Sequence, residues 1–330
     1  MRWLISSKLN LLHFSSWLEH TQCQQKGNSM SVPVAYATII IIWSTTPLGI
    51  TWSNETLSPI TAVCLRMTIA AMLGALILKV LAIPLEWSKQ AFRTYAVSLF
   101  GIYAALLCTY SAAQYIPSGL ISVLYALSPV ISNLLSYLII GRGEFSMSRW
   151  AAFIVSFSGL VFICADDWVM QDQGWIGIIL LLLAVSLYSL SGVLVQREKL
   201  DAHPLSIAVG TLLCSVPLFV ITWLILDGNV PVLDWSSRSP WAILYLAVFG
   251  SLLGFASYFY IVRELGATAV TMVTLMTPVI ALVLGNTLND EPITYQMMAG
   301  TACVLFGLLL YYQNGSTLKF SRLIYRNRLN

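Results

Sequence analysis

The sequence predicts an all-α polytopic membrane protein, with ten transmembrane helices arranged as two inverted five-helix repeats. Three observations lead there. The first is composition: of 330 residues, 58% are hydrophobic and 9% charged, and mean hydropathy is +0.80. A soluble domain carries about 45–50% apolar and about 25% charged residues. So few charges cannot cover a water-facing surface without the apolar faces sticking together, which excludes a soluble enzyme, a nucleic-acid binder and a disordered chain. The second is a set of ten apolar runs, each near the roughly 20 residues that a helix needs to cross the hydrocarbon core. The third is that the two halves of the chain match each other.

The runs fall at 32–52, 59–83, 94–113, 117–140, 149–165, 174–195, 204–226, 241–262, 266–288 and 295–313, joined by short connections. Strands of an outer-membrane barrel would alternate apolar and polar residues. Ile176 to Leu187 shows no such alternation, and a helix satisfies its own backbone in lipid. In order, the first run carries Trp43 and Pro47. The second opens on Ser58-Pro59 and holds Arg66. The third holds Tyr103 and Tyr110, and the fourth Tyr125, Ser128-Pro129 and Asn133. The fifth is rich in small residues (Ala151, Ala152, Ser156, Ser158, Gly159). The sixth carries Tyr188, the seventh opens on His203-Pro204, and the eighth holds Tyr258. The ninth carries Thr274 and Thr277-Pro278, and the tenth is again rich in small residues (Ala299, Gly300, Ala302, Gly307). Small residues let helices approach closely, so the fifth and tenth read as structural, with a homodimer face as one use.

The halves align at a nearly constant offset. Leu127-Ser128-Pro129-Val130-Ile131 matches Met276-Thr277-Pro278-Val279-Ile280, and Pro117 to Ser122 matches Gly266 to Thr271, both at 149. Ser58-Pro59 matches His203-Pro204 at 145, and Gly159-Leu160 matches Gly307-Leu308 at 148. Five spans per half is an odd number, so the second copy is inserted upside down. Two such units about an axis in the membrane plane can rock and expose a central site to either side. With both termini in the cytoplasm, 15 of the 17 basic residues lie on the cytoplasmic side, Arg238 lies outside and Arg66 within a span. The positive-inside rule therefore sets that orientation.

Residues 1–31 form an N-terminal cytoplasmic segment and 314–330 a basic cytoplasmic tail. Within the former, Lys8, Asn10 and His13 interrupt the apolar h-region a secretory signal would need. An interfacial helix and a translation start at Met30 are the readings left, and the second is preferred. The six cysteines include no CxxC pair and read as small core residues rather than disulfides or metal ligands.

Taken together, Trp43-Ser44 with Pro47, Ser58-Pro59 with Arg66, the Ser128-Pro129 and Thr277-Pro278 pairs, and Glu291 followed by Gly300 and Gly307 resemble the drug/metabolite transporter superfamily, EamA type. The resemblance spans about residues 32–313, with repeats at 32–165 and 174–313. One departure is that Phe153 follows Glu144 where Gly300 follows Glu291, which puts the helix packing there in question. The resemblance implies a bacterial inner-membrane carrier, usually an exporter of small metabolites, with a central cavity between the repeats. It also implies an Arg at position 66 in many members.

Candidate cavity residues follow from depth in the span and polarity. Pro129 and Pro278 each lie about twelve residues into a run, where a proline frees a carbonyl that Ser128 and Thr277 could partly compensate. Cavity lining and an ordinary packing kink are both open readings. Arg66 lies seven residues past Pro59, roughly 10 Å into its span at ~1.5 Å per residue. A mid-span Arg costs about 2.5–3.5 kcal/mol on insertion scales and needs a partner. An anionic solute, helix-end carbonyls and Glu55 reached by snorkelling are the three open choices. Trp43, Tyr103, Tyr125 and Tyr188 lie away from the interfacial belts, as packing or as stacking surfaces for a flat or amphipathic solute. Asn133 and Thr274 complete the set, with Gln114, Tyr110 and Tyr258 behind them.

No Asp or Glu lies deep in a run, so a facilitator or exchanger driven by the solute gradient is favoured over proton or sodium coupling. An enzyme is not expected. His13, His20 and His203 all fall outside the runs, Asp166-Asp167 has no second acidic pair, and neither HExxH nor GxSxG occurs. No cofactor or metal is expected. The partners are a small-molecule solute and the bilayer. The alternative is a non-transporting membrane partner or a lipid-carrier flippase component, although relatives of that kind have one repeat.

Overall fold

The computed structural model describes residues 32–141, 147–166, 173–198, 200–266, 270 and 272–313. Met30 with the segment around it, the tail 314–330, Glu144, and Ala267 to Ala269 with Thr271 lie outside the described residues. Every regular element among those described is helical. The first half contains α1 (Val32–Ser53), α2 (Pro59–Val80), α3 (Lys89–Leu99), a π segment (Phe100–Ala104), α4 (Ala105–Ala112), α5 (Ser118–Tyr125), α6 (Ser128–Ile140) and α7 (Met147–Cys164). The second contains α8 (Gly174–Glu198), α9 (Pro204–Leu226), α10 (Ser239–Tyr245), a π segment (Leu246–Leu253), α11 (Gly254–Leu265), a 3₁₀ turn (Met272–Leu275), α12 (Thr277–Asn289) and α13 (Tyr295–Gln313).

Seven helical stretches among the described residues are long and apolar enough to cross a membrane: 32–53, 59–80, 89–112, 118–139, 174–198, 204–226 and 239–265. They coincide with seven of the ten expected runs. The fifth, ninth and tenth runs give shorter apolar helices at 150–164, 277–289 and 295–310. Outward faces are apolar: Ile41, Met72, Leu138, Ile154, Ile179 and Ile225 are all exposed, as suits helices whose surroundings are lipid.

Helix ends follow the local sequence. Ser58 caps α2 by accepting from Thr61 N at 3.1 Å, with Pro59 in the first turn. His203 caps α9 through Nδ1, which accepts from Leu205 N at 3.2 Å, with Pro204 following. Proline is favoured there because the first-turn N–H has no helical partner to lose. The same physics corrects the reading of Pro129 and Pro278. They do not sit mid-way in unbroken helices. The fourth span breaks at Ala126 and Leu127, and Pro129 stands in the first turn of α6. The ninth leaves its 3₁₀ turn at Met276, and Pro278 stands in the first turn of α12. Each proline therefore starts a helix, in the same register in both halves.

The halves pack against each other as antiparallel pairs. Ser58, ahead of α2, bonds Asp227, behind α9, while Ser206, at the start of α9, donates to Pro84 O at 2.9 Å beyond the end of α2. A Cβ on Gly101 would lie 2.9 Å from Ser191 Oγ of α8, and one on Gly177 would lie 2.8 Å from Ile116, beyond α4. α1 runs against α11 and its preceding π segment, with Gly49 on Leu246 and Gly254 on Ile42. α5 lies against α12, where a Cβ on Gly119 would come within 2.6 Å of Leu282.

The tightest pair is α7 with α13. A Cβ on Gly159 would lie 2.6 Å from Gly300 O, and one on Gly307 would lie 2.8 Å from Ala152 O. These contacts exchange if Ala152 is the counterpart of Gly300 and Gly159 that of Gly307. That assigns the counterpart of Gly300 to Ala152 instead of Phe153, which is partly exposed on the outer side. Ala152, Ser156 and Gly159 of the fifth run thus pack on Gly300 and Gly307 of the tenth within a single chain, while Ala151, Ser158 and Ala302 face outward.

Candidate functional site

Where α1, α2, α5, α8 and both π segments converge, the structure holds a central cavity of about 100 Å³. The first half contributes Trp43, Thr46, Arg66, Gly101, Thr109, Ser122 and Tyr125, and the second Tyr188, Gly250, Phe255, Thr274 and Thr277. Of the residues singled out from sequence, Trp43, Arg66, Tyr125, Tyr188, Thr274 and Thr277 are therefore brought together. Tyr103 is not: its ring meets Phe219 edge-on at 4.9 Å, and its hydroxyl lies 2.7 Å from that of Thr222 on α9. Ser128, Pro129 and Pro278 are buried behind the cavity wall, and Asn133 stands beyond Pro129 on α6. Ser128 O accepts from Ser189 Oγ at 3.3 Å, while the Ser128 hydroxyl has no partner among the described residues.

Arg66 is 1% exposed. Its Nε donates to Ser251 Oγ at 2.8 Å and its Nη1 to Tyr110 Oη at 3.2 Å, and the guanidinium carbon sits 5.9 Å from the Tyr110 ring centre. Neither Glu55 nor any other carboxylate pairs with it among the described residues. Its Nη2 lies at Gly250, where a Cβ would stand only 2.9 Å away. Glycine there leaves the guanidinium a clear edge toward the cavity.

The aromatic residues form a connected wall. Trp43 meets Tyr188 edge-on at 5.9 Å, and Tyr125 meets Tyr188 edge-on at 5.7 Å. Tyr258 lies 5.8 Å from Tyr188 and 6.2 Å from Trp43. Such offset and edge geometries suit the ring quadrupoles. The Tyr125 hydroxyl has a partner in Thr109 at 2.9 Å, whereas that of Tyr188 has none among the described residues.

Gly101 and Gly250 were missed as site residues. They stand 149 residues apart, one in each π segment. π segments concentrate at functional sites because the added residue re-aims side chains within a helix. The available signal was this matched glycine pair at the repeat offset.

The cavity is closed toward the face that carries residues 54–58, 113–118 and 289–294. Glu291 Oε2 accepts from Ser118 Oγ at 2.9 Å and from Gly119 N at 3.3 Å, so a carboxylate of the second half caps α5 of the first. Trp52 Nε1 donates to Asn289 Oδ1 at 3.0 Å, and Ser239 Oγ to Trp52 O at 2.8 Å. On the same face Asp227 Oδ2 accepts from Ser58 and Thr61, and these bonds hold its carboxyl down at about 2. Toward the opposite face, a small gap of about 20 Å³ shares Gly101, Tyr188 and Phe255 with the cavity, and Phe259 lies between that gap and a separate vestibule of about 410 Å³ with Thr94, Gln196, Asp201 and Arg263 on its wall. Nearby, burial first and the Arg263 charge second push the His203 imidazole down from its ordinary value.

The EamA-like transporter family matches residues 33–165 and, in a second copy, 175–313. An uncharacterized transporter of Archaeoglobus fulgidus is 25% identical over 279 residues, which cover 84% of this chain and 97% of the relative. The Bacillus subtilis transporter YoaV is 21% identical, over 89% of this chain and 99% of its own. The Escherichia coli K12 inner membrane transporter YedA is 23% identical over 61% of this chain and 64% of its own. A solved crystal structure superposes with a TM-score of 0.65 at 15% identity, over 86% of this chain and 98% of that one, which establishes a shared fold.

Proposed function

The chain belongs to the EamA-like transporter family and is a multi-pass membrane transporter, and from this we propose that it exports a small solute by alternating access through the central cavity. The two units are residues 32–165 and 174–313, each crossing the membrane five times in opposite senses. Both termini are cytoplasmic, and the membrane is the inner one, as the name of the relative YedA says of that protein. The vestibule near Arg263 then opens to the cytoplasm and the Glu291 face looks outward.

One observation carries this reading. The cavity takes its wall from both halves, while the bonds from Glu291 and Asn289 that close one end also run between the halves. A rocking motion of one unit against the other would break those bonds and open the cavity on that side. The solute would meet Trp43, Arg66, Tyr125, Tyr188, Thr274 and Thr277. Ser128, Pro129, Asn133 and Pro278 would act from behind as the broken-helix hinges, and Tyr103 from the α9 side. Among the described residues no carboxylate stands on the cavity wall, which supports gradient-driven exchange over proton coupling. A homodimer through α7 and α13 would have to use their outer faces, where Ala151, Ser158 and Ala302 are exposed, since the buried glycines are spent on each other.

The test is thiol accessibility of Ser122→Cys and Thr274→Cys in oriented vesicles, alongside solute counterflow in proteoliposomes. Both positions are expected to react from each side in turn. Reaction from one side only, in active protein, would overturn alternating access.

A further inference from the structure

Among the described residues, the cavity wall contains a single charged side chain, Arg66, and it is almost completely buried. A buried charge is stable when it is paired and hydrogen-bonded, and costly otherwise. The partners here are the hydroxyls of Ser251 and Tyr110, both neutral. Of the five N–H donors of a guanidinium, those two bonds leave three. The unspent donors include both on Nη2, the edge cleared by Gly250. Among the described residues this charge is therefore unbalanced, and its Nη2 edge lies beside Gly250 on the cavity wall. A neutral solute would bury that charge further without compensating it. A cation would be repelled. An anion would complete it.

The same wall carries four flat aromatic rings, Trp43, Tyr125, Tyr188 and Phe255. The free space of about 100 Å³ equals roughly seven to ten waters at about 10–15 Å³ each, so it suits a solute of about ten to fifteen non-hydrogen atoms. The buried Tyr188 hydroxyl, without a partner, is an added hydrogen-bonding group at the aromatic end.

We propose that the solute class is a small organic anion: one carboxylate seated on the free edge of Arg66 beside Gly250, and a flat apolar body held by Trp43, Tyr125 and Tyr188. This rests on the reading of the central cavity as the transport site. Arg66 would then be the residue that determines charge specificity.

The experiment compares ligands that share one ring and differ in charge, namely indole-3-acetate, indole-3-acetamide and tryptamine. Binding to the purified full chain is read by thermal stabilisation, and transport by counterflow in proteoliposomes. The anion should bind about 10- to 100-fold more tightly than the amide, the range expected for a hydrogen-bonded charge, and the cation should bind least. Arg66→Gln should reduce that preference to near unity. Gly250→Ala, which keeps the charge but places a methyl against Nη2, should weaken anion binding while leaving the amide little changed. The second variant also guards against a folding defect in the first. The proposal is overturned if the amide or the amine binds best, if no carboxylate binds folded protein, or if folded Arg66→Gln retains the anion preference. Anion binding without counterflow would instead sink the transport reading and leave the anion site standing. Counterflow of neutral solutes alone would do the reverse.

Discussion

Replacing Glu291 by Ala should unlatch the face that the cavity is closed against. The carboxylate accepts from Ser118 Oγ, Gly119 N and Asn289 Nδ2 at 2.9, 3.3 and 3.0 Å. The first two of these bonds cross from one half of the chain to the other, at the N-terminal end of α5. Gly285 makes the contact possible, because a Cβ there would stand 2.4 Å from Glu291 Oε2. Losing a helix cap costs about 1 kcal/mol, and a bond to a charged group about 1.5–3 kcal/mol when buried. Glu291 is only half-buried, so screening lowers the second figure. A net shift of about 1–2 kcal/mol toward the opened state follows, which is roughly 5- to 30-fold in population. Glu291→Gln keeps an acceptor and loses the charge, so its effect should fall between wild type and Ala. The assay is the modification rate of a Ser122→Cys reporter, in a chain freed of its six native cysteines. A membrane-impermeant thiol reagent is added from the Glu291 side. A rate within twofold of the parent in folded Glu291→Ala protein would refute the latch.

Three further outcomes are expected. Gly300→Val puts side-chain atoms where even a Cβ would lie 2.4 Å from Ile163 Cγ1 and 2.7 Å from Gly159 O; since backbone cannot yield, a loss of at least about 1–3 kcal/mol should appear in a detergent unfolding titration. Tyr188→Phe removes a buried hydroxyl that has no partner, so stability should hold or rise by up to about 1–2 kcal/mol while counterflow falls; a fall in both would make the hydroxyl structural. The Asp227 carboxyl is held at about 2 against an ordinary 3.8, so its contribution is complete above pH 3.8 and is lost as pH drops toward 2. The melting-temperature gap between wild type and Asp227→Asn should therefore be constant above that window and close within it.

Much of this molecule could be read from its residues alone, and the exceptions have physical reasons. Continuous apolar runs and matched offsets were sufficient for an all-helical, repeated membrane chain. The deep Arg66 and the midplane rings of Trp43, Tyr125 and Tyr188 were visible as polar or amphipathic groups in the wrong solvent. What periodicity could not give was where a helix stops within a run. Ala126 and Leu127 are apolar and helix-compatible, so Pro129 alone hints at the break, and a proline within an apolar run fits a cavity-lining bend or a packing kink as readily as a first turn. Tyr103 shows the second limit. Its depth matched that of Tyr125, but the turn of α3 into the π segment aims it at Phe219 and Thr222. The counterpart of Gly300 was misassigned by one residue because the alignment ran from Glu144, whereas the contacts across α7 and α13 fix it from Gly159 and Gly307.

The paired π segments decide where this protein can tolerate a change in residue number. An α-helix advances about 100° per residue, and a π turn holds more residues than an α turn. Deleting one residue within 246–253 would let that stretch relax to ordinary pitch, and the lost residue and the lost widening would cancel, so Phe255 and Tyr258 would keep their faces. A deletion in 100–104 would likewise spare Thr109 and Tyr110, which holds Arg66. The same deletion in a regular stretch such as 254–265 would instead turn all that follows by about a quarter-turn, so a lost codon is absorbed at these two points and felt along the rest of the rod.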